Sequence, residues 1–148
     1  MKKILFVASE GVPFIKTGGL ADVVGSLPKY LDKNQFDVRV ILPKYMCMKE
    51  EYKKQLNYLT HFYMDLGWRS QYVGVLETIY EGIHFYFIDN EYYFAGFKPY
   101  GNIYEDVEKF AFFSKAALSV LPVIGFQPDI IHCHDWQTGL VPVFLKDK

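Results

Sequence analysis

The chain has 148 residues, the size of one domain, and 51% of them are hydrophobic, which excludes an intrinsically disordered protein. Its 16 lysines and arginines nearly balance its 17 aspartates and glutamates, for a net charge of -1, so the basic surface of a nucleic-acid or anionic-membrane binder is missing. No run approaches the roughly 18 apolar residues that span a bilayer, and the first apolar run is too short for a signal peptide. We therefore expect a cytoplasmic protein.

The cysteines and the aromatic residues say less about the class of protein than the length, composition and charge do. Cys47 and Cys133 lie far apart in unlike contexts, so no disulfide framework is expected. Aromatic residues make up 18% of the chain, and much of this is tyrosine and phenylalanine between residues 58 and 113. Either core packing or a surface that stacks on sugars or contacts a partner would account for this concentration.

The beginning of the chain predicts a β-α-β unit. The continuous apolar run Ile4–Ala8 is typical of a strand buried on both faces. Leucines and valines recur at three- and four-residue spacing from Leu20, which predicts an amphipathic helix. This helix ends near residues 33–34, unless Pro28 kinks it or ends it early. Val38–Leu42 predicts a second strand, parallel to the first after a right-handed crossover.

The middle of the chain predicts an antiparallel excursion of the sheet. The charged segment Met46–Leu56 is compatible with a helix. Three β-rich runs follow it, with turns at Gly67 and at Glu81-Gly82 between them. The runs are Thr60–Leu66, Gln71–Ile79 and Ile83–Ile88. We interpret the aromatic, glycine-containing stretch Asn90–Asn102 as a loop.

The last third returns to a helix-strand pattern. Apolar side chains share one face of a helix predicted over Glu105–Ile124, with Gly125 as its C-terminal cap. Asp129–Cys133 predicts another buried strand, and Thr138–Leu145 predicts a further helix. Together the elements predict an α/β fold with a Rossmann-like parallel sheet. Because such a sheet normally continues with more strands, we expect the chain to be the beginning of a larger domain.

The first candidate motif is the loop Lys16-Thr17-Gly18-Gly19, between the first strand and the first helix. An open α/β sheet places phosphate sites there. Glycines let main-chain N–H groups approach a phosphate, and Lys16 supplies a positive charge. The loop matches neither the P-loop nor the dinucleotide pattern. The structural alternative is a turn that needs glycine for positive φ, with a solvent-exposed lysine.

Two carboxylates accompany this loop. Asp22 falls in the first turn of the predicted helix, where it either complements the helix dipole or accepts hydrogen bonds from a sugar hydroxyl. Glu10 follows the first strand and by topology faces the same crevice.

The second candidate motif, His132–Gln137, follows a buried run and therefore lies at the carboxyl end of a strand. Ligands of open α/β sheets bind at these strand ends. Our preferred interpretation is a hydroxyl-rich ligand held by His134, Asp135 and Gln137.

Two other chemistries are compatible with the same motif. His132 and His134 share a strand face and could together ligate zinc, but no third ligand is evident. Cys133 could act as a nucleophile beside a histidine, although buried strand cysteines are usually inert. We predict neither a metal nor another cofactor.

Three blocks of this sequence resemble bacterial glycogen synthases and plant starch synthases, in the same order. The first block spans Lys3–Pro28 and includes Lys16-Thr17-Gly18-Gly19-Leu20 and Asp22-Val23. The second is Phe110–Ala116, and the third is His132–Thr138. The resemblance covers essentially the whole chain.

This resemblance implies a retaining glycosyltransferase that transfers glucose from ADP-glucose to the non-reducing end of an α-1,4-glucan, without a required metal. The implied fold is of GT-B type, in which two Rossmann-like domains face each other across a deep cleft. Residues 1–148 are similar to the N-terminal, acceptor-side domain. The C-terminal nucleotide-binding domain would then be absent, and these residues would be inactive alone.

The same resemblance implies roles for individual residues. Lys16 would contact the phosphates of the donor, and the pair Gly18-Gly19 would bring main-chain amides to the same group. His134, the candidate catalytic residue, would lie near the transferred glucose. Asp22 would lie toward the acceptor side of the cleft. We also predict that Asp135 binds substrate, because of its place in the second motif.

One block departs from the family pattern. Relatives usually read Asp-Asn-x-Glu-Arg-Phe where this chain has Glu105–Phe110, so no acceptor role is carried over to Glu105 and Asp106. The alternative function is a stand-alone module that binds glucan or a nucleotide sugar without catalysis, suggested by the aromatic segment Phe85–Tyr104. A nicotinamide dehydrogenase is disfavoured because the dinucleotide fingerprint is missing.

Overall fold

The computed structural model describes residues 1–96 and 98–146, and of Trp136 only the backbone. The strands of this part are β1 Lys2–Val7, β2 Phe36–Pro43, β3 Asn57–Leu66, β4 Arg69–Tyr80, β5 Ile83–Asp89 and β6 Ile130–Cys133. The helices are α1 Gly19–Tyr30, α2 Glu50–Lys53, α3 Ile103–Ile124 and α4 Val141–Lys146, with a 3-10 turn at Trp136–Thr138.

The strands form one mixed sheet with the order β3-β4-β5-β2-β1-β6. The pairs β1-β2, β1-β6 and β2-β5 are parallel, and the pairs β3-β4 and β4-β5 are antiparallel. Tight turns join the antiparallel strands, and positive φ angles of 63° at Gly67 and 79° at Gly82 allow them. The predicted parallel α/β core with an antiparallel excursion is confirmed.

Two apolar layers hold the sheet, one on each face. Side chains alternate along β1, so that Leu5 and Val7 pack on the side of α3 while Phe6 packs on the side of α1. The α3 layer is rich in phenylalanine, including the fully buried Phe112 and Phe113. This explains why the first strand reads as a continuous apolar run.

Most of the aromatic concentration is core packing. Phe14 of the loop after β1 makes edge-to-face contacts with Phe85 and Phe87 of β5, at centroid distances of 4.9 and 5.0 Å. Exposed rings remain on the antiparallel excursion, for example Tyr63 and Trp68. In the described part of the chain, no helix combines the length and the apolar character needed to cross a membrane.

Helix ends differ from the predictions for local reasons. Helix α1 continues through Pro28 and ends at Tyr30, because a proline in the last turn removes only one hydrogen bond of the helix ladder. Helix α3 begins at Ile103, two residues early, because the side chain of Asn102 caps it by accepting the N–H of Tyr104 at 2.8 Å. Gly125 ends α3 with a φ of 67°, so the predicted cap is confirmed.

The helix predicted over Thr138–Leu145 is wrong as a continuous element. The chain forms the 3-10 turn Trp136–Thr138, then a turn, and only then α4. Pro142 is the second residue of α4, where its missing N–H would have no partner within the helix. The proline therefore sets where the helix can begin.

Candidate active site

The site lies at the carboxyl edge of the parallel strands. Strand β1 is flanked by β2 on one side and by β6 on the other, so the order of the sheet reverses at β1. Open α/β sheets bind ligands in the crevice at such a switch point. Glu10 follows β1 and His134 follows β6, and the main-chain N–H of His134 donates to the carbonyl of Val7 at 3.2 Å. Both predicted motifs therefore leave adjacent strands at one edge.

The loop after β1 closes on itself before it reaches α1. Gly11 and Ile15 exchange two main-chain hydrogen bonds of 3.0 Å. The N–H of Val12 donates to the carbonyl of Ala21 in α1, also at 3.0 Å. These contacts tie residues 11–15 to the helix, and residues 16–18 bridge the remaining distance to its first turn.

Gly18 and Gly19 have no packing reason to be glycine. A Cβ on Gly19 would meet nothing within 4 Å, and one on Gly18 would meet only an oxygen of Glu10, at 4.0 Å. The φ of Gly18 is -163°, which is extended backbone that any residue adopts. The alternative that this turn needs glycine for positive φ is therefore wrong, and the space above both residues is open to a ligand.

Lys16 and Asp22 form an ion pair at the start of α1. The ammonium lies 2.9 and 3.0 Å from the two carboxylate oxygens, and both side chains are more than half exposed. Exposed pairs of this kind contribute about 1 kcal/mol or less, so Lys16 can exchange its partner for a stronger anion at little cost. Gly18 caps α1 without a side-chain hydrogen bond, which leaves the first N–H groups of the helix to another acceptor.

His134 is buried but keeps one unused polar atom. Its side chain is 8% exposed, and its Nε2 has no hydrogen-bond partner among the described residues. The ring lies 4.2 Å from that of His132 and 5.4 Å from that of Phe6, measured between centroids. Burial, and then the proximity of His132, lower the pKa of His134, while Asp135 acts in the opposite direction. At neutral pH the imidazole is uncharged.

A tight turn holds the residues that follow His134. Asp135 has a φ of 61° and an exposed side chain. The hydroxyl of Thr138 donates to the carbonyl of His134 at 2.9 Å, and the hydroxyl of Ser114 in α3 donates to the carbonyl of Gln137 at 3.3 Å. The Oε1 of Gln137 is buried and without a partner in the described part of the chain. Two neighbouring side chains are thus left with unused hydrogen-bonding capacity.

The structure brings the predicted residues together in two groups. Lys16, Gly18-Gly19 and Asp22 form one group, and His134 with Asp135 forms the other. They share the carboxyl edge of β1 and β6, but no hydrogen bond or ion pair joins them within residues 1–96 and 98–146. What could bridge them is a ligand that reaches both.

The geometry supports neither a zinc site at His132 and His134 nor a nucleophilic Cys133. Among the described residues, no group of three or more histidines, cysteines or carboxylates could hold a metal ion. Burial raises the pKa of the Cys133 thiol, with a smaller opposing effect from Thr138. A raised pKa disfavours the thiolate that a nucleophile requires.

Sequence reasoning missed Tyr100 and the link between Thr17 and Glu10. Tyr100 lies in the stretch between β5 and α3, which was predicted only as a loop, and its hydroxyl reaches Glu10 at 3.1 Å. Thr17 donates to the same carboxylate through its main-chain N–H at 3.2 Å and through its hydroxyl. The sequence signal for this link was a glutamate that follows the first buried strand by a few residues.

The fold and the site define an α/β domain of Rossmann type with a ligand crevice at its switch point. Residues 3–148 match the family model of the starch synthase catalytic domain, and the chain belongs to that family. It is 76% identical over its whole length to the glycogen synthase of Lachnoclostridium phytofermentans and 69% identical to that of Lachnospira eligens. In both cases it spans 31% of the length of the relative.

A solved structure agrees with this assignment. The catalytic domain of starch synthase IV from Arabidopsis thaliana, bound to ADP and acarbose, superposes with a TM-score of 0.88 at 35% identity. The match covers 99% of this chain and 30% of that one.

Proposed function

We propose that these residues form the N-terminal, acceptor-side domain of a cytoplasmic glycogen synthase. The enzyme transfers glucose from ADP-glucose to the non-reducing end of an α-1,4-glucan with retention of configuration. Support comes from the relatives named glycogen synthase and from the similar structure of starch synthase IV, which is bound to ADP and acarbose. The single observation that carries the proposal is the buried, unpartnered Nε2 of His134, one strand away from an open glycine loop.

Lys16 and the Gly18-Gly19 amides hold the donor's phosphates in this proposal. Breaking the bond between glucose and phosphate develops negative charge on the departing ADP. A lysine and main-chain N–H groups that are already in place stabilise that charge without reorganising. The weak ion pair with Asp22 keeps Lys16 near the site until the donor arrives.

His134 contacts the transferred glucose, and the two aspartates bind substrate hydroxyls. A neutral imidazole offers one donor and one acceptor, which suits a sugar hydroxyl. A hydrogen bond between a substrate hydroxyl and the buried Nε2 stabilises the complex, because an unsatisfied buried polar atom costs about 1–3 kcal/mol. Asp135 extends from the same turn, and Asp22 faces the acceptor side.

The opposite wall of the cleft belongs to the C-terminal domain that the relatives' greater length accommodates. This domain carries most of the nucleotide pocket in the proposed enzyme. No metal is required, because the lysine and the amides neutralise the leaving group. A stand-alone binding module is not put forward, because the relatives are named glycogen synthase and because Phe85, Phe87 and Phe94 of the segment that suggested it are buried, although Tyr92 and Tyr104 are exposed.

The test is incorporation of labelled glucose from ADP-glucose into glycogen by the full-length enzyme that carries these residues. We expect Lys16→Ala to lower kcat/KM for ADP-glucose about 100-fold, the loss of a charge-assisted contact of roughly 3 kcal/mol. Lys54→Ala, at another exposed lysine, is the control and should leave kcat/KM unchanged. A wild-type enzyme that incorporates no glucose would refute the proposed function.

A further inference from the structure

We propose that Glu10 positions residues 16–19, which we call the donor loop. The buried carboxylate of Glu10 holds Thr17, and Thr17 in turn sets the direction of the Lys16 side chain and of the Gly18-Gly19 amides. The identity of the donor rests on the proposed function, whereas the hydrogen bonds of the loop do not depend on it. Glu10 does not itself touch the substrate.

The Glu10 carboxylate is buried without a counter-ion. The residue is 2% exposed, and among the described residues no lysine, arginine or histidine lies within 4.0 Å of its oxygens. A buried carboxylate is costly unless hydrogen bonds replace its hydration. The Glu10 carboxylate therefore requires hydrogen-bond donors from elsewhere in the chain. The groups that donate to it are held in place by these hydrogen bonds.

Thr17 supplies two of those donors to a single oxygen. Its main-chain N–H donates to Oε2 of Glu10 at 3.2 Å, and its hydroxyl donates to the same atom. Two bonds from one residue fix both its backbone and its side chain. The other oxygen, Oε1, points toward Gly18, 4.0 Å from the place where a Cβ would stand. The carboxylate thus lies against the segment that carries the proposed phosphate donors.

Tyr100 supplies the third donor. Its hydroxyl lies 3.1 Å from Oε2 of Glu10 and 2.6 Å from the hydroxyl of Ser9. Burial, as the largest cause, raises the pKa of Tyr100 to about 12, so the phenol keeps its proton at neutral pH. Because it has one proton, it donates to the carboxylate and accepts from Ser9.

The neighbours of Tyr100 are tied to the start of α3. The N–H of Gly101 donates to the buried Asp106 at 2.9 Å, and Lys109 donates to the carbonyl of Pro99 at 2.5 Å. A continuous series of contacts therefore runs from α3 through Tyr100 and Glu10 to Thr17. This series positions the donor loop from the interior of the domain.

The kinetic test compares Glu10→Ala with Glu10→Gln in the full-length enzyme. Glutamine keeps an acceptor oxygen for Thr17 and Tyr100 and is expected to recover most of the loss. We expect Glu10→Ala to lower kcat/KM for ADP-glucose about tenfold or more, through a raised KM for ADP-glucose, with KM for glucan within about twofold. Glu51→Gln, at an exposed position, is the matched control and should change neither constant.

A second pair of variants avoids the risk that a substitution at the buried Glu10 prevents folding. Thr17 is exposed, so Thr17→Val leaves the core intact while it removes the hydroxyl donor. We expect Thr17→Val to reproduce part of the Glu10→Ala loss, and Thr17→Ser, which keeps the hydroxyl donor, to recover most of what Thr17→Val loses. Equal effects on the donor and acceptor KM values in both series would overturn the proposal.

Hydrogen exchange tests the positioning role without catalysis. We expect faster amide exchange at Thr17 and Ala21, whose N–H groups donate to Glu10 and to the carbonyl of Gly18, in Glu10→Ala and Thr17→Val, with unchanged exchange in β1 and α3. Unchanged exchange at both residues in both variants would overturn the role of Glu10. If the wild-type enzyme transfers no glucose, the proposed function fails, and the exchange measurement still decides whether Glu10 positions the loop.

Discussion

At the scale of single residues, the site combines an ion pair on the surface with a carboxylate and an imidazole in the interior. Lys16 and Asp22 are exposed and weakly paired, so they can exchange partners. Glu10 and His134 are buried; hydrogen bonds from Thr17 and Tyr100 hold the Glu10 carboxylate, whereas Nε2 of His134 has no partner among the described residues. The chemistry of this edge therefore depends on burial as much as on residue type.

The lowered pKa of His134 predicts a pH dependence of stability. Because the unfolded chain binds a proton near the ordinary value of 6.5 and the folded chain only at a lower pH, folding loses free energy as the pH falls below 6.5. We expect urea denaturation to give a smaller free energy of unfolding at about pH 5 than at about pH 8. His134→Gln should remove part of this difference. An identical pH dependence in both proteins would contradict the assignment.

At the scale of elements, α1 is held against the preceding loop by a glycine that sequence reasoning did not single out. Gly25 is buried in the middle of α1 and faces Val12. A Cβ there would lie 2.1 Å from Cγ2 of Val12 and 2.8 Å from its carbonyl oxygen. Helix α1 and the loop after β1 can approach this closely only because Gly25 has no Cβ.

Gly25→Ala is therefore expected to destabilise the protein. Alanine improves helix propensity by about 0.8 kcal/mol, but overpacking against main chain costs about 2 kcal/mol or more, so the net effect is a loss. Urea denaturation measures it, with Ser26→Ala on the exposed face of α1 as a control that should change little. Adding Val12→Ala should recover only part of the loss, since the carbonyl contact remains. A Gly25→Ala protein as stable as wild type would contradict this packing.

At the scale of the whole molecule, one edge of the sheet is exposed and apolar. Strand β6 is an edge strand of the described sheet, and Ile130 on it is 48% exposed. Beside it lies a groove of about 830 Å³ whose walls include Leu118, Phe126 and Ile131. The chain also spans only 31% of the length of its two named relatives.

Residues 1–148 by themselves are expected to transfer no glucose. In the proposed glycogen synthase, a second domain holds the leaving group and the sugar from the other side of the cleft, so the barrier should not fall without it. The measurement is incorporation of labelled glucose into glycogen by these residues alone, beside the full-length enzyme at equal concentration. Transfer by the 148 residues alone would show that the second wall is not needed.

The pattern of apolar residues was enough to predict the strands and the parallel core with its antiparallel excursion, and so the strand ends that the two motifs follow. The run Ile4–Ala8 predicted a strand buried on both faces, and the turns at Gly67 and Glu81-Gly82 marked the antiparallel strands. Strand ends carried the site residues, because parallel strands share one carboxyl edge. The family was readable from three short blocks in order.

Only the tertiary structure decided which residues meet across the chain. Tyr100 contacts Ser9 and Glu10 from about ninety positions away, and no local pattern encodes such a pairing. The sequence also left open whether Gly18 serves a turn or a ligand, and its extended backbone rules out the need for a positive φ, so that the ligand role stays a proposal. Local periodicity determines elements and their faces, whereas burial and hydrogen-bond partners arise from packing between distant segments, which is why the role of Glu10 emerged only from the folded chain.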